Sequence, residues 1–406
     1  MVKQLSIKVK QYIVLILITL AVVLLYCMCH YDSENLFISL SPDKATDSFI
    51  ERLVQKNDAG ESLAFSFSMC EYNIQNMIIL LVCNIMKNIY HGVNAYYILS
   101  FFAITIAMFW YLKKLHISTG VAVYGAVLVS LLPFHIDRGE GQIVTSTFFM
   151  VPIFAGIWND IIYERKIEKI NKGYMTVMCV APFIDIRLSV MMIILMGILA
   201  IHRRNRDVWK TTILYLCPMT IIIFVLNQIT SVLGTSDLEK SIQLAREEGM
   251  RILDMVMPLR YHVWDRLWNL RYEYDVSFGA SGESGLNSMG TLLTIFFIIS
   301  MCILFFRINV DKRISWMAWI SVIVILISNV SGFNIVFEYI GIHLGYWNRM
   351  AIFIIVYTVA VMGILIEWLH DYMRNKMNAL VLNIGLLLIG AVGILDVLLR
   401  YGMLQL

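Results

Sequence analysis

Residues 70–87 read CEYNIQNMIILLVCNIMK, and whether this block crosses a membrane decides the topology of the whole chain. Its apolar part, 73–86, lies between Glu71 and Lys87. A hydrocarbon core ~30 Å thick takes about 20 residues of helix, so the block is short for a span. Other apolar segments fall near 12–29, 95–112, 118–134, 144–161, 174–185, 188–201, 211–230, 289–306, 314–330, 349–368 and 378–397, about eleven in all. Cytoplasmic loops of membrane proteins are enriched in Lys and Arg. If 73–86 does not span, Lys3/Lys8/Lys10, Lys113/Lys114, the 165–172 and 203–210 gaps, Arg307/Lys312/Arg313 and Arg374/Lys376 all fall on the cytoplasmic side, eighteen of the 32 basic residues. Counting the block as a span sends every later cluster outside. Residues 73–88 therefore read as a re-entrant or interfacial helix. The segments 174–185 and 188–201 are also short and read as a tight hairpin of half-depth helices.

Composition sets the class. Of 406 residues, 59% are apolar and 15% charged, with mean hydropathy +0.73. A soluble domain of this size carries far more surface charge. A β-barrel needs ~10-residue alternating segments, and none is evident. The expected fold is all-α, a polytopic helical membrane protein forming one domain over 1–406. The block 12–29 follows three lysines and lacks a small-residue cleavage site, so it reads as a signal anchor. Six of the seven cysteines lie in or beside apolar blocks, where they act as small hydrophobes and imply no disulfide framework. A net charge of +3 does not point to nucleic acid. Two longer polar regions, 30–72 and 231–288, lie on the outer face. The first holds an amphipathic piece around 47–56, the second a helical stretch over 237–257.

Ionisable side chains beside a bilayer are costly unless solvated or paired, so their placement carries information. They gather at the outer ends of the apolar segments. LLPFHIDRGEGQ (131–142) brings His135, Asp137 and Arg138 into one turn, and PFIDIRL (182–188) brings Asp185 and Arg187. MPLRYH (257–262) carries Arg260 and His262, SGESGLNSMG (281–290) carries Glu283, and GYWNRM (345–350) carries Asn348 and Arg349. Together these would ring one outer cavity. Arg138 with Asp137 and Arg187 with Asp185 also fit structural ion pairs, and Trp264, Trp268, Tyr272 and Tyr274 fit an interfacial aromatic belt. No zinc spacing, phosphate loop or dinucleotide fingerprint occurs.

The order of these pieces resembles the GT-C class of glycosyltransferases, and most of all the bacterial multi-spanning proteins of that superfamily. SPDKATDSFIERLVQKN (41–57) matches the acidic start and amphipathic helix of the first outer loop, with Asp43 or Asp47 at the acidic position. Glu71 in MCEYNIQNMIILL matches a second acid before a membrane-dipping helix; the Pro-aromatic-His…Arg-Gly turn, the acid before NSMG and the Asn-Arg of YWNRM follow in order. Pro42 stands where glycine usually precedes the first acid, and Gln142 replaces a position that is commonly basic or histidine.

The resemblance implies a polyprenyl-phosphate-linked sugar as donor and a cell-envelope glycan or lipid as acceptor. The setting it implies is the outer face of a bacterial inner membrane, with the N-terminus cytoplasmic. In that reading Asp43 and Glu71 are the catalytic carboxylates, with a divalent cation (Mg2+ or Mn2+) at the same pair if one is used. His135, Asp137, Arg138, Asp185, Arg187, Arg260, His262, Glu283, Asn348 and Arg349 bind substrate. An acceptor hydroxyl needs a positioned base, and a leaving lipid phosphate needs fixed cations. Two other readings are a polysaccharide polymerase of the O-antigen type and a lipid-linked glycan flippase or transporter. The latter predicts mid-membrane charges, broken helices and internal symmetry; here only six prolines occur, acidic mid-span residues are scarce, and no repeat is visible.

Overall fold

The computed structural model describes residues 2–30, 48–58, 70–139, 142–163, 171–230, 233, 238–259, 262, 264–278, 283–374 and 379–398. Within them the chain is helical. In order the helices are α1 (Val2–His30), α2 (Ser48–Asp58), α3 (Ile74–Met86), α4 (Ile89–Lys114), α5 (Thr119–Ser130), α6 (Pro133–Ile136), α7 (Ile143–Ser146), α8 (Met150–Tyr163), α9 (Lys172–Ile184) and α10 (Ile186–Arg203). There follow α11 (Arg206–Thr230), α12 (Leu238–Glu247), α13 (Ile252–Val256), α14 (Asp265–Phe278), α15 (Gly290–Phe305), α16 (Lys312–Ser328), α17 (Asn334–Tyr339), α18 (Ala351–Arg374) and α19 (Ala379–Leu398). Many starts are set by a side chain that accepts the first-turn N–H groups a helix leaves unpaired. Asn73, Asn88, Asn171, Asp185 and Asp311 each do so.

Among the described residues seven helical segments are long and apolar enough to cross a membrane by length and composition, three of them running adjacent elements together: 119–136, 143–161 and 347–374. Where α1 and α11 face outward they are apolar: Leu17, Leu24, Ile221 and Phe224 are all at least half exposed. Apolar stripes of that extent have their natural solvent in lipid. The core sits on α18, in which every residue from 351 to 364 is buried, as expected of a helix that is hydrophobic all round. Close packing brings its neighbours in. A Cβ on Gly156 of α8 would sit 2.4 Å from the Trp110 ring of α4, and one on Gly92 would sit 2.5 Å from Cys83 Cα of α3.

The helices share two chemically distinct ends. At one, Gln11 bonds Thr119, Lys114 pairs with Asp160 and Tyr174, Arg313 donates to Leu115 O, and Arg203 lies over the Trp316 ring. At the other lie His135, Arg138, Asp185, Glu283 and Arg349. Helix α1 packs antiparallel to α4, with Tyr12 against Phe109 and Tyr26 against Phe101. The N-terminal end of α1 and Lys113/Lys114 are therefore at the same, basic end. Helix α3 is a 13-residue segment, ~20 Å long at 1.5 Å per residue. It starts where Asn73 donates to Ile184 O and Gln75 meets the Tyr96 hydroxyl, then folds back into α4 through Lys87 in the left-handed conformation. Both its ends stay on the polar side opposite the basic one.

Two expectations change. The segment 188–201 is not half-depth: it belongs to α10, 18 residues running from the Asp185 cap to the basic end. The stretch 237–257 is two helices. It breaks at 248–251, where Met250 makes a parallel bridge to Asn329 and a Cβ on Gly249 would meet Val330 Cα at 2.7 Å. Backbone approaching that closely admits only glycine.

Candidate functional site

The polar end is assembled from six short segments, most of them at helix termini. Pro133 occupies the first turn of α6, where its missing N–H costs nothing. The turn after it closes by Gly139 N donating to His135 O, with Gly139 at φ +46°, and this swings Arg138 inward. Arg138 is 3% exposed. Its guanidinium lies 3.9 Å from the Phe134 ring centroid, and Nη2 donates to Asn287 Oδ1 at 3.0 Å and Asn348 Oδ1 at 3.3 Å. Nε and Nη1 are buried and make no hydrogen bond among the described residues.

Glu283 opens a 3-10 turn and carries the densest set of partners. Arg349 grips it bidentately, Nε to Oε2 at 3.0 Å and Nη2 to Oε1 at 2.9 Å, while Gln142 Nε2 donates to Oε1 at 3.0 Å. The planar fork on a carboxylate is the strong form of ion pair. Arg349 also stacks on Tyr346, 4.5 Å to the centroid. Behind them, Glu248 Oε2 accepts Glu283 N at 3.2 Å and Asn348 Nδ2 at 3.2 Å, and Asn287 Nδ2 donates to Asn348 O at 3.1 Å. Asp185, Arg187 and Arg349 line one small cavity with Phe134, Thr145 and Phe148. Three guanidiniums thus face three carboxylates (Asp185, Glu248 and Glu283), which is what buried charge requires.

Electrostatics follow from this packing. Burial lowers the Arg138 guanidinium to about 10, opposed by Glu283, and it stays charged at neutral pH. Burial pushes the Glu283 carboxyl up, but Arg349, with help from Arg138 and Gln142, more than reverses this and holds it below the usual range. Burial raises Glu248 above that range, against the opposing N–H of Glu283.

The other residues singled out from sequence are placed as follows. His135 is fully buried beside the cluster, with both ring nitrogens engaged, by Ser130 O and Ser100 Oγ, each at 2.7 Å. Asp137 caps α6 next to Arg138. His262 is also engaged on both nitrogens, by Asp396 at 3.0 Å and by Trp264 N at 3.0 Å, and it pins α19 at this end. Glu71 sits two residues before Asn73, at the same end, ion-paired to Arg52 of α2. Both Glu71 and Tyr72 have positive φ, 52° and 56°. Asp43, Asp47 and Arg260 lie outside the described residues. Among the described residues no group of three or more His, Cys, Asp or Glu converges as a metal site.

Three members of the cluster were not expected from the sequence. Glu248 sits in what reads as a continuous amphipathic helix, and the only local signal against that is Gly249. Asn287 lies inside the motif that yielded Glu283, without a feature of its own. Gln142 reads as a departure from a basic position and turns out to be a partner of Glu283. No protein family, curated protein or solved structure matches the chain.

Proposed function

We propose that this chain is a membrane glycosyltransferase that transfers a sugar from a polyprenyl-phosphate-linked donor to a cell-envelope glycan or lipid. In this reading about eleven helices cross a bacterial inner membrane, the basic end is cytoplasmic, and the arginine cluster works on the outer face. The observation that carries it is Arg138: a buried guanidinium whose Nε and Nη1 make no hydrogen bond among the described residues, on a stacked, hydrogen-bonded mount beside Glu283 and Arg349. Buried donors without partners are rare and costly, and an incoming phosphate oxygen satisfies them. Fixed cations in a dry site stabilise the charge that develops on a departing lipid phosphate. A base must take the acceptor hydroxyl's proton. Asp43 is assigned that role by resemblance alone. Within the cluster, Glu248 has the matching property, a half-buried carboxyl with raised proton affinity.

Two measurements test the proposal. In proteoliposomes supplied with a polyprenyl-phosphate hexose, Arg138→Ala should cut transfer roughly 100-fold, the usual cost of removing one preorganised donor. Arg138→Lys keeps the charge without the fork and should fall between. Transfer at the wild-type rate in Arg138→Ala would make Arg138 a structural residue. Orientation is checked separately with a membrane-impermeant maleimide on intact cells. Above the parent's background it should label Tyr339→Cys, exposed at the arginine end, and spare Gly120→Cys, exposed at the basic end. The reverse pattern would put the cluster in the cytoplasm, away from an outer-face acceptor.

A further inference from the structure

A roomy cavity lies at the opposite end from the arginine cluster. It is a groove of about 560 Å³ between the end of α15 and the start of α16, where residues 306–311 join the two helices. Its lining is ordered along α16. Arg307 and Lys312 stand at the mouth with Phe305 beside them, and Trp319 and Val322, about two to three turns further along α16, form the wall below. At 1.5 Å per residue, Val322 lies ~15 Å along α16 from Lys312. The one acid in the lining, Asp311, is neutralised locally, since Arg313 bonds both of its oxygens, Nη2 at 2.7 Å and Nε at 3.1–3.2 Å. Arg307 and Lys312 therefore set the field at the mouth. The groove opens sideways onto the apolar outer surface of the bundle, where Ile298 is 51%, Trp319 41% and Leu326 50% exposed.

Cations over an aromatic and aliphatic wall form a polarity gradient that runs along the bilayer normal. A soluble anion has no use for the lower half, and a neutral lipid has no use for the upper. We infer that this groove holds an anionic phospholipid of the adjoining leaflet, its phosphate at Arg307 and Lys312 and one acyl chain along Phe305, Trp319 and Val322. Basic segments beside a membrane attract anionic lipids at about 1 kcal/mol per residue, and basic pockets between helices localise a headgroup. The other basic residues of this end supply the diffuse attraction; here two cations coincide with a cavity that faces lipid. This inference does not depend on sugar transfer at the other end.

The test is native mass spectrometry of delipidated protein given phosphatidylglycerol or phosphatidylcholine in matched detergent. Wild type should retain one phosphatidylglycerol and little phosphatidylcholine. Arg307→Gln with Lys312→Gln should retain phosphatidylglycerol roughly 30-fold less well, from two contacts at the quoted worth. Lys10→Gln with Lys172→Gln removes the same charge from exposed positions of α1 and α9 outside the groove, and should bind as wild type does. Both pairs are exposed, and an unchanged circular dichroism spectrum certifies the fold of each variant. Equal losses in the two double variants would reduce the effect to leaflet electrostatics and overturn the site. So would undiminished binding in the groove variant, equal retention of phosphatidylcholine, or displacement of the lipid by millimolar inorganic phosphate.

Discussion

Arg349→Ala should lower the unfolding free energy of the detergent-solubilised protein by ~3–5 kcal/mol, the cost of removing one partner of a buried ion pair. The argument rests on what remains. Glu283 keeps its place because its backbone N–H is held by Glu248 and its Oε1 by Gln142, yet it loses both hydrogen bonds from the guanidinium. A carboxylate only 13% exposed then loses its one hydrogen-bonded counter-charge and keeps only the more distant Arg138. Glu283→Gln in the same chain removes the stranded charge and should recover a substantial part of the loss, whereas Glu283→Gln alone should destabilise. Such a sign reversal is the signature of coupled residues. The pH dependence gives an independent check. In the wild type the Glu283 carboxyl is held below its ordinary value of 4.5, so its contribution is present above that pH and is lost as the pH falls through the folded value. In Arg349→Ala, burial is opposed only by Arg138 and Gln142, so the same carboxyl lies higher than in wild type and acidification should shrink the deficit. Glu248, whose carboxyl is already raised by burial, also loses the lowering influence of Arg349 in the variant, so its further rise shifts the difference in the same direction. A loss under ~1 kcal/mol with no change in pH profile would mean that water reaches Glu283 and that the pair is a surface one.

That pair also marks the boundary of what the sequence reveals. Arg138, Glu283, Asn348 and Arg349 are legible because each interrupts or borders an apolar run, where an ionisable or amide group demands a reason. Helical class, the positions of the apolar segments and the polarity of the two ends are legible on the same grounds, since hydropathy and Lys/Arg placement are local quantities. Who pairs with whom is not local. Arg138 meets Asn287 and Asn348 across 149 and 210 residues, and no periodicity carries that information. The same holds for His135 and His262, whose ring nitrogens satisfy neighbours that only the fold supplies. For Glu248 the signal is present but weak: amphipathic period dominates over 237–257, and a single glycine is outweighed until the close approach of Val330 is known. The segment at 188–201 failed for a different reason, because hydropathy ends at Ile201 while the helix continues through His202 and Arg203 to the basic end.

The residue that aims Arg349 was invisible from the sequence, and removing it should be as damaging as removing Arg349 itself. Glu338 ends a short helix, α17, and is fully buried. Its Oε1 accepts Leu344 N at 3.1 Å, Gly345 N at 3.0 Å and Trp347 Nε1 at 2.7 Å, while Oε2 takes His343 Nδ1 at 3.1 Å and the Ser241 hydroxyl. One carboxylate thereby fixes the whole approach to Asn348 and Arg349, including Gly345 at φ +69° against Leu244. Glu338→Ala strands several donors in a dry interior at ~1–3 kcal/mol each, so a loss of ~4 kcal/mol or more is expected. Glu338→Gln preserves the shape and one acceptor oxygen; it should cost about half as much, because its NH2 group then faces donors on His343 or Ser241. The functional consequence separates anchoring from simple folding. In Glu338→Gln, assayed where it is still folded, transfer and phosphate-donor affinity should fall together, since Arg349 leaves its position over Tyr346, although Glu338 itself touches no residue of the arginine cluster other than through this loop. A folded Glu338→Gln protein with unaltered donor affinity would show that the 340–347 loop holds its course without the carboxylate, and that the aim of Arg349 is set by Glu283 alone.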